Sequence, residues 1–223
     1  MITQENVDIT GQSLVKKYKF AKKSLSDVEK IGRYQIVKIE EVIARNPAIA
    51  CKQSCTYCCN LRVVALPHEL ISIYLHIRLT FPKQKVAEIE ERLEAQYARI
   101  KDMTIDEHFM TNIQCPLLVE GSCSVYSVRP IACAGYHSAS VEACKQSDEN
   151  PEIVGFESGG IPMDAEVQEI VAMHQTVIDA VVNSEGDDAG KYELIKGLLT
   201  IFRTPTVNQN WLRGRKYLPF QAG

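Results

Sequence analysis

Four cysteines stand within nine residues, in the stretch Cys51-Lys52-Gln53-Ser54-Cys55-Thr56-Tyr57-Cys58-Cys59. Four more follow at Cys115, Cys123, Cys133 and Cys144, and none lies outside 51–144. Cysteines that merely fill a core have no reason to gather in this way. Thiolates two or three residues apart can converge on one ion from a loop or a helix start, and they are the soft ligands that zinc and iron–sulfur clusters favour. The adjacent pair Cys58-Cys59 adds a constraint. Neighbouring side chains diverge by about 100° on a helix and point oppositely on a strand, so the pair suits two centres or a polynuclear cluster better than one tetrahedron.

The surrounding composition decides between metal ligands and disulfides. The first residues, Met1-Ile2-Thr3-Gln4-Glu5-Asn6-Val7-Asp8, show neither the basic nor the apolar region of a signal peptide. No apolar run approaches the ~18 residues that a spanning helix needs. The expected location is the cytoplasm, where disulfides are rare, so eight cysteines there read as ligands or reactive thiols. With 25 basic and 28 acidic residues the net charge is −3, which gives no reason to expect nucleic acid or a membrane as partner. A protein partner stays open.

The 223 residues suit a single domain, 1–223, with a metal-binding core at 51–144 and helical flanks at 1–46 and 163–223. Leu14, Tyr18, Ala21, Leu25, Val28, Ile39 and Val42 follow a helical repeat with an interruption near Gly32 and Gln35, so one long helix or two with a break there is expected. Lys16, Lys17, Lys19, Lys22 and Lys23 read as a solvated face. Asn46-Pro47 ends the helical stretch. Leu61–Leu66 reads as extended or as the lead-in to a helix that opens at Pro67. A further helix is expected over Lys83–Lys101, and Thr104-Ile105-Asp106-Glu107 has the form of a capping box. Between 115 and 162 the glycines and prolines rule out long elements, and metal bonds could supply order instead. Asp164 caps an amphipathic helix that turns Val167, Ile170, Val171, His174, Val177, Ile178 and Val181 inward. Asp187-Asp188 and Asp148-Glu149 read as solvated loop charges. Tyr192, Ile195, Leu198, Leu199 and Phe202 mark a last helix, and the tail with Trp211, Tyr217 and Phe220 is expected to lie across the body or on a partner. The fold class is mostly α, with an irregular, metal-organised cysteine-rich middle.

The cysteine stretch, followed by Cys115-Pro116-Leu117-Leu118, Cys123-Ser124-Val125-Tyr126, Arg129-Pro130-Ile131-Ala132-Cys133-Ala134-Gly135 and Cys144, resembles the YkgJ-type cysteine-cluster family, described as carrying a CxxCxxCC zinc- or iron-chelating domain. One departure is visible: the gap from Cys51 to Cys55 holds three residues where that signature has two. The resemblance implies chelation of zinc or iron, an iron–sulfur cluster included. By matching position it makes Cys51, Cys55, Cys58, Cys59, Cys115, Cys123, Cys133 and Cys144 the ligands. Some larger relatives in that family are lysine methylases of flagellin, but this chain is shorter, and the activity is not carried over.

Other readings compete. Cys51-x3-Cys55-Thr56-Tyr57-Cys58 also matches the cluster motif of radical S-adenosylmethionine enzymes, although the β/α units of that fold are missing from the pattern and Glu157-Ser158-Gly159-Gly160 is not the Gly-Gly-Glu order. A structural zinc domain serving as an interaction module is a further alternative, and storage or delivery of metal another. Thiolate charge needs an offset, for which Lys52, Arg62, Arg129 and Lys145 are placed, with Arg129-Pro130 able to aim a guanidinium at sulfur. His137, four residues after Cys133, could complete a three-cysteine, one-histidine site or be a plain loop histidine. His174 reads as core, and His68, His76 and His108 show no partner. There is no Gly-x-Gly-x-x-Gly, no P-loop and no nucleophile elbow, and no catalytic residue is assigned.

Overall fold

The computed structural model describes residues 4–21, 24–52, 54–152 and 160–215. Met1 to Thr3, Lys22 and Lys23 of the basic run, Gln53, Glu157 to Gly159, and Lys216, Tyr217 and Phe220 of the tail lie outside them, as does the side chain of Ala21. Within these residues the chain is mostly α: ten helices and four two-residue strands. The amino-terminal pair, α1 (Gln4–Ala21) and α2 (Glu29–Arg45), is followed by β1 (Val64–Ala65), α3 (Pro67–Thr80), α4 (Lys83–Ile100) and α5 (Ile105–Phe109). A hairpin of β2 (Leu118–Val119) and β3 (Ser122–Cys123) precedes the short α6 (Ile131–Gly135) and α7 (Val141–Glu149). The chain then forms α8 (Ala165–Ser184), β4 (Tyr192–Glu193), α9 (Leu194–Arg203) and α10 (Val207–Leu212).

The helix starts follow from their residues. Pro67 occupies the first turn of α3, where its missing N–H costs nothing, and the Glu69 carboxylate accepts the Leu66 N–H at 2.7 Å. Thr104 and Glu107 form the capping box of α5. The Asp164 carboxylate accepts the Val167 N–H at 3.0 Å to open α8, a cap of about 1 kcal/mol. Glu193 caps α9, accepting from Ile195 and Lys196 at 3.1 and 2.8 Å. Val64 and Ala65 pair antiparallel with Glu193 and Tyr192, which fastens the chain beside the cysteine stretch to the start of α9.

Apolar faces gather into two clusters. The larger joins α1, α3, α4, α8, α9 and α10 around fully buried Leu14, Leu70, Ile71, Ile89, Leu93, Ile178 and Leu198. The smaller packs Ile36, Ile39 and Val42 of α2 and Val167 of α8 against Ile131 and Ala134 of α6, the helix that carries Cys133. Gly135 permits the close approach there, since a Cβ at that position would lie 2.5 Å from a methyl carbon of Val171.

Two expectations are corrected. The break in the amino-terminal helices does not fall at Gly32, which sits inside α2. The chain instead turns through the 3₁₀ segment Leu25–Asp27, where the Asp27 N–H donates to the Ser24 carbonyl at 3.0 Å. Ser and Asp offer the backbone local alternatives to a helix, whereas a single glycine only weakens one. Trp211 lies against the body, the first of the two placements expected for it. It belongs to α10 and is buried edge-on to Tyr18, with ring centres 5.9 Å apart. Asp187 and Asp188 are not free loop charges but accept the hydroxyls of Tyr18 and Tyr192 at 2.8 and 2.6 Å. Lys19, by contrast, is exposed as expected and lies 3.5 Å from Glu185.

His68 and His174 are buried as neutral rings, and burial pulls their pKa values down to about 3 and about 4. In the unfolded chain both return to near 6.5, so the unfolded state takes up more protons below that pH. With respect to these groups, unfolding free energy is expected to be level above pH 6.5 and to fall below it, by up to about 1.4 kcal/mol per pH unit for each histidine. Urea unfolding between pH 7 and 5 checks this, with His174→Leu showing the shallower fall. The glycines supply a second test. Gly135→Ala is expected to destabilise by about 1–3 kcal/mol through overpacking on Val171. Gly32→Ala, with nothing within 4 Å of the new methyl group, is expected to stabilise α2 by roughly 0.5–1 kcal/mol. Melting curves of the two variants should move in opposite directions.

Candidate metal centre

The first cysteine segment is a series of turns. The Ala50 N–H donates to the Ser138 carbonyl at 2.8 Å, and the Ser138 N–H donates to the Cys51 sulfur at 3.2 Å. Ser54 takes a left-handed conformation (φ 70°), and the Cys55 N–H closes back on the Lys52 carbonyl at 3.1 Å. Cys58 and Cys59 fall in a 3₁₀ turn, Tyr57–Asn60.

The second segment is laid directly on the first. The Cys115 N–H donates to the Cys59 carbonyl at 2.8 Å, and the Ile113 N–H to that of Asn60 at 3.0 Å. The hairpin that follows turns through Glu120 and Gly121, both at positive φ (49° and 72°), the pattern that matches strand twist in a two-residue loop. It sets Cys123 opposite Leu118, three residues after Cys115. Pro130 opens α6, placing Cys133 in its first turn, and Ser140 caps α7, where Cys144 resides.

Seven of the eight cysteines, all but Cys144, line one cavity of about 1020 Å³. All eight are free thiols with partial exposure. The electrostatic couplings divide them. Cys51 feels Cys144, Cys55 and Cys58, while Cys133 feels Cys115, Cys123 and Cys58. Burial pushes Cys115 up to about 12 and raises Cys51, Cys123, Cys133 and Cys144. A hydrogen bond with Cys59, followed by burial, holds Cys58 far above the ordinary thiol range. These six thiols are therefore protonated at neutral pH. Among the described residues no three His, Cys, Asp or Glu side chains already stand in ion-holding positions.

Arg129 is the cation that reaches the sulfurs, and its charge lowers Cys58 and Cys123 against the other effects. It is almost fully buried, stacked 3.7 Å from the centre of the Tyr126 ring, and held by the Tyr126 carbonyl at 2.7 Å and Glu40 at 3.0 Å. Lys52 and Arg62 line the cavity, whereas Lys145 lies on the surface 3.8 Å from Glu149. His76 does have a neighbour, Glu29, at 3.5 Å.

His137 is fully buried and both its nitrogens are taken. Nε2 accepts the Asp164 N–H at 2.7 Å, so Nδ1 carries the proton and donates to the Gly135 carbonyl at 2.8 Å. It ties the α6 turn to the start of α8 and has no lone pair to give a metal. Asp148 is also structural, which corrects its reading as a solvated charge. Its carboxylate accepts from Asn60 at 2.7 Å, and its carbonyl accepts from Asn112, so α7 is bound to both cysteine segments. The sequence reading missed Glu69 and Glu193, two buried carboxylates. Glu69 accepts the Ile131 N–H at 2.7 Å and so fixes the start of the helix bearing Cys133. Burial raises both. Glu69 sits three residues after Leu66, in capping-box position before an apolar run, and that spacing was the available signal.

Residues 50–152, a little under half of the chain, match the CxxCxxCC family, described as a "Putative zinc- or iron-chelating domain". No curated protein and no solved structure matches the chain.

Replacing His137 by Ala would leave the Asp164 N–H unpaired, costing about 1–3 kcal/mol, and the Gly135 carbonyl with only the 3.5 Å bond from Gln168. His137→Ala is expected to lower the melting temperature while leaving the metal bound per folded chain unchanged, as read by elemental analysis.

Proposed function

We propose that the chain chelates zinc or iron through the thiolates of Cys51, Cys55, Cys58, Cys59, Cys115, Cys123, Cys133 and Cys144. The supporting observation is the meeting of seven of these side chains, from two distant segments, around one cavity with a buried arginine beside them. The donor set is soft and suits zinc or iron. Each sulfur moves on a single rotatable bond between staggered positions, a motion that can draw the thiols inward. Bound metal would cross-link segments that helices alone do not join, making 51–144 a metal-organised core within one domain.

The couplings support two adjacent groups, Cys51, Cys55 and Cys144 on one side and Cys115, Cys123 and Cys133 on the other, with Cys58-Cys59 between them. Two mononuclear sites would divide the adjacent pair; one iron–sulfur cluster would draw on both sides. A radical S-adenosylmethionine enzyme fits less well, because the described residues hold only two-residue strands and no β/α units. No helix among them is long and apolar enough to cross a membrane. A reducing compartment such as the cytoplasm suits eight unpaired thiols.

Ligating thiols must lose their protons, and burial holds the protons on Cys51, Cys115, Cys123, Cys133 and Cys144 at neutral pH, as the contact with Cys59 and burial do on Cys58. Metal binding at pH 7 is expected to release close to one proton for each of these six thiols that ligates, and affinity should fall as pH falls. Calorimetry in two buffers of different ionisation enthalpy reads the number. Cys55→Ser and Cys58→Ser should each lower bound metal and the melting temperature; unchanged values in both would overturn the assignment. Anaerobic purification with elemental analysis and an absorption spectrum separates colourless zinc from a brown iron–sulfur protein.

A further inference from the structure

Cys144 is the one cysteine that does not line the cavity. Its helix, α7, has no buried residue and is held at its two ends by polar contacts. The Ser140 hydroxyl oxygen accepts the Ala143 N–H at 3.1 Å, and the Asp148 carboxylate accepts from Asn60 at 2.7 Å. The apolar core therefore does not fix where the Cys144 sulfur stands.

Ser138 joins that sulfur to Cys51. It is 1 % exposed, and its carbonyl accepts the Ala50 N–H at 2.8 Å, which pins it beside the first cysteine segment. Its N–H donates to the Cys51 sulfur at 3.2 Å. Its side chain hydrogen-bonds Cys144: burial raises that thiol, and the Ser138 bond works against the rise. One residue thus touches two sulfurs far apart in the chain, and among the thiols Cys144 acts most strongly on Cys51.

The Ser138 hydroxyl has room to change partner. It accepts the Ser140 N–H and donates to the Ser140 carbonyl, both at 2.9 Å. A thiol can donate to the Ser138 oxygen, but a metal-bound sulfur only accepts, and hydrogen bonds to a charged acceptor are the stronger ones. Turning the hydroxyl hydrogen to Cys144 leaves the Ser140 carbonyl with the Cys144 N–H at 3.3 Å, so no backbone group is orphaned.

We propose that Ser138 is a positioning residue of the metal site, its N–H and its hydroxyl holding Cys51 and Cys144 on one ion. This rests on the chelation proposed for these thiols and adds a residue that does not itself ligate. Such partners of metal ligands matter: their loss costs about 10–100-fold in affinity.

Zinc is the probe, its affinity read by competition with a chromophoric chelator. Ser138→Ala keeps the N–H, removes the hydroxyl and is expected to weaken zinc binding about tenfold or more. Cys144→Ser should weaken it too. Ser138→Ala added to Cys144→Ser should bring no further loss, because the hydroxyl acts through that sulfur, whereas a serine serving the fold alone would subtract its effect in both backgrounds. Cadmium-113 NMR of the wild type is the second measurement. One cadmium signal should couple to the β-protons of both Cys51 and Cys144, and to the Ser138 amide proton through the Cys51 sulfur. Unchanged zinc affinity in Ser138→Ala, additive losses in the double variant, Cys51 and Cys144 on different cadmium ions, or an uncoupled Ser138 amide would each overturn the role of Ser138 and leave chelation standing. A wild type that takes up neither metal would overturn chelation itself, and the role of Ser138 with it. The cadmium spectrum needs only the wild type and so decides the matter even if Ser138→Ala does not fold.

Discussion

Two backbone hydrogen bonds hold the centre of this protein together: Cys115 N–H to the Cys59 carbonyl and Ile113 N–H to the Asn60 carbonyl. They join segments more than fifty residues apart and lay the second cysteine group against the first. Everything placed between them in sequence, α3, α4 and α5, returns the chain to this point. Asp148 then adds α7 to the same junction through Asn60 and Asn112. The irregular middle is thus ordered by a small number of polar contacts, each made where a helix or strand would otherwise have satisfied the backbone.

Around that junction the protein places buried charge with care. Glu69 and Glu193 are almost wholly enclosed, yet each accepts two backbone N–H groups at helix starts, which compensates part of the burial penalty. Arg129 is enclosed too, and its partners leave its positive charge close to Cys58 and Cys123. Protonated thiols in this setting are neutral and tolerate burial; thiolates would need a cation. That electrostatic imbalance is the physical link between the fold and the proposed chelation.

Local chemistry was largely legible. Pro67, Thr104-Glu107 and Asp164 mark helix starts at the residues where the structure has them, and the apolar repeat of α4 predicts its span to within a residue. Arg129 follows expectation as the cation beside the sulfurs. What failed was the weight put on one isolated signal. Gly32 was read as a break because glycine weakens a helix, but the buried stripe Ile31, Gln35, Ile36, Ile39 and Val42 carries α2 through it. His137 carried both a ligand and a loop reading, and the structure makes it a hydrogen-bonded link whose partner Asp164 lies too far along the chain to be seen from sequence.

By itself the sequence determined that the chain is mostly helical, that its cysteines form two groups, and that the described residues between 115 and 162 form only short elements. These are properties of local spacing, propensity and turn chemistry. Only the tertiary structure decided which sulfurs neighbour which, that Arg129 and not Lys145 stands by them, and that Glu193 lies near Arg62. Such facts depend on contacts across tens of residues, set by the packing of α2, α6 and α8 and the pairing of β1 with β4. No short-range pattern encodes them.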